Sequence, residues 1–502
     1  MVMEVLPLTT IGVLIIIAIA ISILVRKLGQ NEVIGFILAG FLLGPFWLNF
    51  LNPADPLVSS FAELGLFVLL FYLGIELSLK DFISAGSTIF SLAIIDMILT
   101  TGLGVLAMLF LGYSPLFSLV VGIMLFSTST AIVAKFLISK DLLKNRAAKI
   151  SLSILILQDF LGIILLVFIT SLSNASGSPI GLAISALVFA VSAFYAVHRL
   201  SRIAEKWLKK NNFGNVEVTL YAVGVGLIVS TLGSLLGLSA AIGAYFAGFA
   251  LSETDSGNSI KKNLGFLRDF FLLFFFVGFG TTLFFEPEIN AVMLPAPHAL
   301  VLLILLAAGL GAIALFAHSI STRVFGGRFG MSAEDSSLSA ILLFPLGEFV
   351  VIIATVAVAV FEGPEAKLLK PLAFLLILIT VILFQPFYNL RQLHQKIMSK
   401  IPRIPTPVKQ TVIKQHTPET LKQAKKIGLN AFIILCFAWV TVLLYNALPN
   451  FNVPVHYSRQ ATAAIIFLFF ASLPALEMAK AFRRISKINR QPLKIIWPQK
   501  KP

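Results

Sequence analysis

The chain is predicted to be an all-α polytopic membrane protein of about fifteen transmembrane helices, two of them broken at mid-span. Composition points there first: 58% of its 502 residues are hydrophobic and 12% charged, against about 45–50% and about 25% in a soluble domain. Apolar runs long enough for a bilayer core, which takes about 20 residues at about 1.5 Å each, then recur from end to end. Lysine and arginine, finally, gather in alternate loops, as they do on the two sides of a membrane.

The runs fall at about 8–25, 33–50, 61–78, 84–111, 115–138, 150–172, 179–198, 216–236, 238–252, 265–284, 297–318, 336–361, 367–390, 428–447 and 461–479. The first has no basic segment before it and no small-residue cleavage site before Arg26-Lys27, so it is a first helix rather than a signal peptide. Basic residues follow every odd-numbered run: Arg26 and Lys27, Lys80, Lys140 to Lys149, Arg199 to Lys210, Lys261 and Lys262, Arg323 and Arg328, the loop 391–426 and the tail from Lys480. The opposite loops NPADP, SNASGSP and EPEIN carry none, and Lys367, Lys370 and Arg459 are the exceptions. The N-terminus is therefore expected outside and the C-terminus in the cytoplasm, with the plasma membrane as location. The net charge of +15 is a topology signal with anionic lipid as its neighbour, not a sign of nucleic acid.

Cys436 is a lone cysteine in an apolar run, which excludes a disulfide framework and a cysteine metal site. Loops are short. The largest, about 391–427, reads as a cytoplasmic linker with one amphipathic helix after Pro418. GVG at 224–226 lies inside an apolar run and serves helix packing, so no dinucleotide site and no cofactor are expected.

The sixth run, ISLSILILQDFLGIILLVFITSL, carries a carboxylate at mid-membrane depth, Asp159. An acid there costs about 2.5–3.5 kcal/mol on insertion scales and persists mostly where it faces a wet cavity and has a task. The fifth run holds four consecutive hydroxyls, Ser127 to Thr130, which compete with the helix backbone for its hydrogen bonds and favour unwinding. The twelfth holds Pro345 and Gly347 before Glu348; proline lacks a backbone donor and glycine weakens the helix. Unwound backbone is tolerated in a membrane only where it lines a cavity or is buried in protein. The two runs lie seven apart and so cross in opposite directions, and interrupted helices in corresponding places of inverted halves mark a transport site.

The stretches EVIGFILAGFLLGPF (32–46), FAELGLFVLLFYLGIELSLKDF (61–82), STSTAIVAKFL (127–137), LILQDFLGI (155–163), SAAIGAYFAGFALSET (239–254), FFFVGFGTTL (274–283) and PLGEFVVIIA (345–354) follow in order along the chain. Together they resemble the monovalent cation:proton antiporter-2 family and, within it, the Kef-type potassium/proton branch. The resemblance implies an antiporter domain of thirteen helices over 1–392, in which helices five and twelve cross beside helix six and a core moves against a dimerisation part. It implies a homodimer with the ion site on Asp159, Gln158, Thr128, Ser129 and Thr130. Electrogenic members carry two carboxylates where this chain has Gln158-Asp159. One carboxylate trades one proton for one monovalent ion, so electroneutral exchange is expected, with potassium ahead of sodium because an amide makes a weaker field than a second carboxylate. A free aspartic acid titrates near 3.9, and withdrawal from water disfavours a charged carboxylate; proton and cation then compete for one group, and that competition is the coupling.

The chain departs from the family in two places. Leu346 stands where sodium-selective relatives have an arginine, and the tenth run has no lysine or arginine deep within it, so Glu348 is either structural or part of the ion path. Kef-type systems also carry a cytoplasmic nucleotide-binding domain, where this chain has a linker (393–427), a two-helix hairpin (428–479) and a basic tail (480–502). Regulation by nucleotide would then need a separate subunit. Asp96, central in the fourth run, either touches the ion path or bonds between helices; Glu63 and Glu76 are interfacial or structural; Lys135 snorkels; His198 and His318, at helix ends, are interfacial rather than pH sensors. No histidine is expected at mid-helix to serve as a protease base, which argues against an intramembrane enzyme. A monovalent cation channel and a sodium-coupled solute symporter of related fold remain the alternatives.

Overall fold

The structure, a computed structural model, describes residues 7–27, 30–76, 86–171, 179–235, 240–286, 291–292, 295–329, 331–359, 363–402, 426, 429–431, 433–438, 440–441 and 459–489. Nearly all of these are helical. The order is α1 (Pro7–Lys27), α2 (Glu32–Leu43), α3 (Pro56–Glu76), α4 (Gly86–Phe110), α5 (Pro115–Phe126), α6 (Thr130–Ser139), α7 (Arg146–Ser171), α8 (Pro179–Lys210) and α9 (Asn215–Leu235). Then come α10 (Ala240–Ser252), α11 (Gly257–Thr281), α12 (Pro297–Ile320), α13 (Ala333–Leu342), α14 (Glu348–Val358), α15 (Ala366–Asn389), α16 (Arg391–Ser399) and α17 (Arg459–Asn489). The only strands among the described residues are β1 (Phe285–Glu286) and β2 (Ala291–Val292), paired antiparallel.

Among the described residues, seven helices (α1, α3, α4, α9, α11, α12 and α15) are long and apolar enough to cross a membrane. The chain is a multi-pass membrane protein. The fifth and twelfth apolar runs are each built as two half-helices, α5/α6 and α13/α14, as their hydroxyl cluster and Pro-Leu-Gly step predict.

Packing gathers the helices into two groups. In one, α3 lies against α10 and α11, and α2 against α1 and α11. Small residues bring these backbones together: a Cβ on Gly40 would stand 2.0 Å from the Val277 carbonyl oxygen, and one on Gly248 2.1 Å from that of Phe71. In the other group α4 packs on α5, α7 and α12, while α14 packs on α5, α7 and α15.

Three boundaries depart from the sequence expectation. Helix α8 continues to Lys210, so most of the basic cluster Arg199 to Lys210 is helical surface: Ser201, Glu205 and Leu208 are buried at helical spacing while Arg202 and Lys206 are exposed. Helix α11 begins at Gly257 rather than near 265, its polar first turns GNSIKKNL being helical too. Helix α12 runs on into a π turn, Ser321–Phe325, and a 3-10 turn, Gly326–Phe329.

The last helix, α17, is tied to α8 by Arg199, whose guanidinium donates to the Phe469 carbonyl (2.5 Å) and Ser472 Oγ (3.0 Å) and lies over the Phe469 ring. The expected helix after Pro418, Lys80, most of the 173–179 and 286–290 loops and the tail beyond 489 lie outside the described residues, as do 442–447 of the fourteenth run.

Candidate functional site

The two breaks meet. Helix α5 stops at Phe126 and α6 starts at Thr130, leaving Ser127 to Ser129 outside the helices; α13 stops at Leu342 and α14 starts at Glu348. The freed backbones pair with each other as a single antiparallel bridge between Thr128 and Leu346. Ser129 N donates to Pro345 O (2.8 Å) and Gly347 N to Ser127 O (3.0 Å). Thr128 Oγ1 donates to Leu343 O (2.8 Å), and Thr380 Oγ1 on α15 accepts from Leu346 N (3.1 Å). Buried backbone groups must find such partners. The breaks thus supply each other's hydrogen bonds. Glycine is needed at 347 because a Cβ there would stand 2.8 Å from Ser129 Cα.

Four helix ends converge here: the C-termini of α5 and α13 and the N-termini of α6 and α14. A helix N-terminus carries about half a positive charge and favours a carboxylate beside it. Each of these two has one. Thr130, the first residue of α6, donates from Oγ1 to Asp159 Oδ2 at 3.1 Å, and Glu348 is itself the first residue of α14. Glu348 also acts electrostatically on Asp159. One turn beyond Asp159 on α7, Gly162 faces the Phe349 ring of α14. Asp159 is only partly buried, whereas Thr128 and Ser129 are almost wholly so. A cavity of about 540 Å³ between α6, α15 and the α1–α2 turn reaches Ala131, next to Thr130, and is lined by Arg26, Glu32, Lys135, Ser139 and Gln385 among others.

Of the residues singled out from the sequence, Asp159 and Thr130 come together. Thr128 and Ser129 lie at the crossing with their hydroxyls engaged by backbone: Ser129 Oγ accepts from Ile132 N (3.3 Å) as the cap of α6. Gln158 points elsewhere. Its Nε2 donates to Asp96 Oδ2 on α4 at 2.9 Å, and Asp96 also receives His318 Nδ1 (2.9 and 3.0 Å) and the Ser321 hydroxyl. This group is sealed, with Asp96, His318 and Ser321 at 0% exposure and Gln158 at 1%. Consecutive helical residues point about 100° apart, so α7 turns Asp159 to the crossing and Gln158 to α4 and α12.

Two expectations are corrected. His318 is not interfacial: the π turn after α12 folds Ser321 back onto Asp96 and buries the imidazole with it. The polar cluster His318-Ser319-Ser321-Thr322 in an apolar run was the available signal. The tenth run does hold an arginine well inside its helix. Because α11 starts eight residues earlier than expected, Arg268 falls near its middle, over the Tyr72 ring (4.2 Å) and paired with Asp269, and its charge acts on Glu348.

Crossed half-helices with an acid at each inward N-terminus, inside a multi-pass bundle, define a secondary ion transporter of inverted-repeat design. The chain belongs to the sodium/hydrogen exchanger transmembrane family, whose profile matches residues 13–389. It is 26% identical over 465 residues to the putative cation/proton antiporter YbaL of Escherichia coli K12, covering 89% of this chain and 78% of that one. It is 27% identical over 382 residues to the K(+)/H(+) antiporter subunit KhtU of Bacillus subtilis 168, covering 74% and 89%. With the glutathione-regulated potassium-efflux protein KefC of Escherichia coli K12 it shares 27% over 296 residues, 57% of this chain and 46% of KefC. These relatives bear out the resemblance to the Kef-type branch. The fold is shared with the sodium proton antiporter MjNhaP1 of Methanocaldococcus jannaschii at a TM-score of 0.56 and 17% identity, over 78% of this chain and 98% of that one.

Proposed function

We propose that this chain is a secondary antiporter that exchanges a monovalent cation, potassium ahead of sodium, for protons, one for one and without net charge movement. The observation that carries the reading is the half-buried carboxylate of Asp159, held by Thr130 at the N-terminus of a half-helix in the crossing. The names of the relatives, a K(+)/H(+) antiporter subunit and a potassium-efflux system protein, support the class of cargo.

Asp159 ionised binds the cation; Asp159 protonated is neutral. Either form crosses the apolar barrier, whereas the bare carboxylate does not, and this restriction couples the two flows. Thr130 supplies a hydroxyl oxygen to the cation while its O–H goes on donating to the carboxylate. The crossing stays intact through the cycle because it is bonded to itself, and the group built on α4, α5, α7 and α12 to α15 moves against the group built on α1 to α3, α10 and α11. The cavity at Ala131 serves the cytoplasmic side, with the N-terminus outside, the plasma membrane as location and a homodimer as the assembly. A separate subunit would regulate it.

The test is a proteoliposome with an internal pH dye, pulsed with potassium, sodium or lithium. The wild type should move protons against each accepted cation, little changed by clamping the voltage, and Asp159→Asn should move none. Steady current under clamp points instead to a channel or an unequal ratio, and dependence on an organic solute points to a symporter.

A further inference from the structure

We propose that Asp96 is a positioning residue for the exchange site: with His318 and Ser321 it holds the Gln158 amide away from Asp159, and this limits how tightly the site grips its cation. The inference rests on Asp159 being the exchange carboxylate.

Gln158 is adjacent to Asp159 on α7 and carries a carbonyl oxygen, a good ligand for a monovalent cation. Nothing in the reach of a glutamine keeps it from the cation: one step between staggered rotamers, about 120° around Cα–Cβ, swings the amide by several ångströms. What keeps it away is the bond from its Nε2 to Asp96 Oδ2, at 2.9 Å. The acceptor is itself fixed from two other sides, by His318 Nδ1 from α12 and by the Ser321 hydroxyl from the π turn. The arrangement leaves two buried atoms without partners, Gln158 Oε1 and His318 Nε2. An unpartnered buried acceptor is costly, and a carbonyl oxygen beside a cation would be satisfied. The amide is therefore held against a pull toward the site.

The consequence is kinetic. Transport needs binding strong enough to load and weak enough to release. With the amide withheld, the cation meets one carboxylate and the Thr130 hydroxyl. With the amide freed, one more oxygen joins them, so binding tightens and release slows. A single added ligand worth about 1.4 kcal/mol changes affinity about tenfold.

The variant is Asp96→Leu, similar in volume but with no oxygen or NH2 to hold either end of the Gln158 amide. Asp96→Leu should lower the half-saturating concentration of the transported cation about tenfold and lower the maximal rate by a similar factor. Adding Gln158→Leu to it should return both to within about twofold of the wild type, since the freed amide is then gone. A residue with only a structural role would lower the amount of folded protein and the rate, without tightening the cation and without suppression by Gln158→Leu. If Asp96→Leu does not fold, His318→Gln, alone and with Gln158→Leu, gives the same pair of readings through the other anchor of the Asp96 carboxyl. An unchanged or raised half-saturation in the folded single variant, or a double variant no different from it, overturns the proposal. Loss of Asp159 dependence in the wild type would overturn the exchange site instead, so the two failures are distinct.

Discussion

Gly347→Ala tests whether the paired breaks hold the site together. The new Cβ would lie 2.8 Å from Ser129 Cα, 3.0 Å from its Cβ and 3.2 Å from its N, where carbon atoms ordinarily rest about 3.5–4.0 Å apart. The strands must therefore separate by about 0.7 Å or more at the crossing. That lengthens the bonds from Ser129 N to Pro345 O (2.8 Å) and from Gly347 N to Ser127 O (3.0 Å) beyond the usual limit of about 3.2 Å. Weakening two buried backbone bonds costs about 1–3 kcal/mol each if no water replaces them, so the variant should lose about 2–6 kcal/mol. Thr130, one residue beyond Ser129, moves with the strand and away from Asp159. Purified protein should melt several degrees lower and exchange should fall at least about tenfold. The control is Gly309→Ala in α12, where an added Cβ meets nothing within 4 Å; it should be neutral or stabilising by about 0.5–1 kcal/mol. Wild-type melting and exchange in Gly347→Ala, beside a neutral Gly309→Ala, would refute this reasoning.

Thr130→Val removes the hydroxyl on Asp159 while keeping the shape; a hydrogen bond to a charged group is worth about 1.5–3 kcal/mol. Half-saturation for the cation should rise about 10- to 100-fold in the proteoliposome assay, and an unchanged value would remove Thr130 from the site. His394 on α16 bridges Ser319 (Nε2, 3.0 Å) and Ser337 (Nδ1, 2.7 Å). The Ser319 hydroxyl donates to Leu315 O (2.6 Å), so Nε2 carries the proton and Nδ1 accepts from Ser337. Burial pushes His394 below its ordinary 6.5; the folded state prefers the neutral ring, so its contribution is complete above that value and is lost as pH falls through the lower folded one. Hydrogen exchange of 391–399, corrected for intrinsic rates, should quicken between about pH 7.5 and about pH 5.5 in the wild type and less in His394→Gln; equal behaviour would contradict it. Arg199→Ala removes three contacts to α17 and should raise hydrogen exchange around 467–474 without changing the half-saturation for cation; unaltered exchange there would show that α17 is held otherwise.

The broken helices were legible because their causes are local. Four hydroxyls in a row and a proline two residues before a glycine disfavour helix in any surroundings, and the structure breaks at 127–129 and 343–347. Asp159 stands out too, since a carboxylate flanked by apolar residues on both sides has few places to lie. The direction of Gln158 was not. Its partner Asp96 lies 62 residues away in the chain, and His318 is 222 residues from Asp96; the resemblance puts Gln158 and Asp159 in one ion site, but helical rotation separates neighbours by about 100°. His318 does lie in the last turn of α12, where hydropathy fades, but the π turn carries the chain onward and buries the ring. Arg268 is hidden from a hydropathy reading for a similar reason: an amphipathic first turn lowers hydropathy without ending the helix.

The central claim is that one carboxyl group holds a proton or a cation and never both. Purified protein in weakly buffered detergent solution, titrated with potassium or sodium chloride under a pH electrode, measures it directly. From a starting pH low enough that the carboxyl is protonated, the account predicts one proton released for each cation bound, falling to none in Asp159→Asn. Cation binding without proton release, or release that survives in Asp159→Asn, would contradict it.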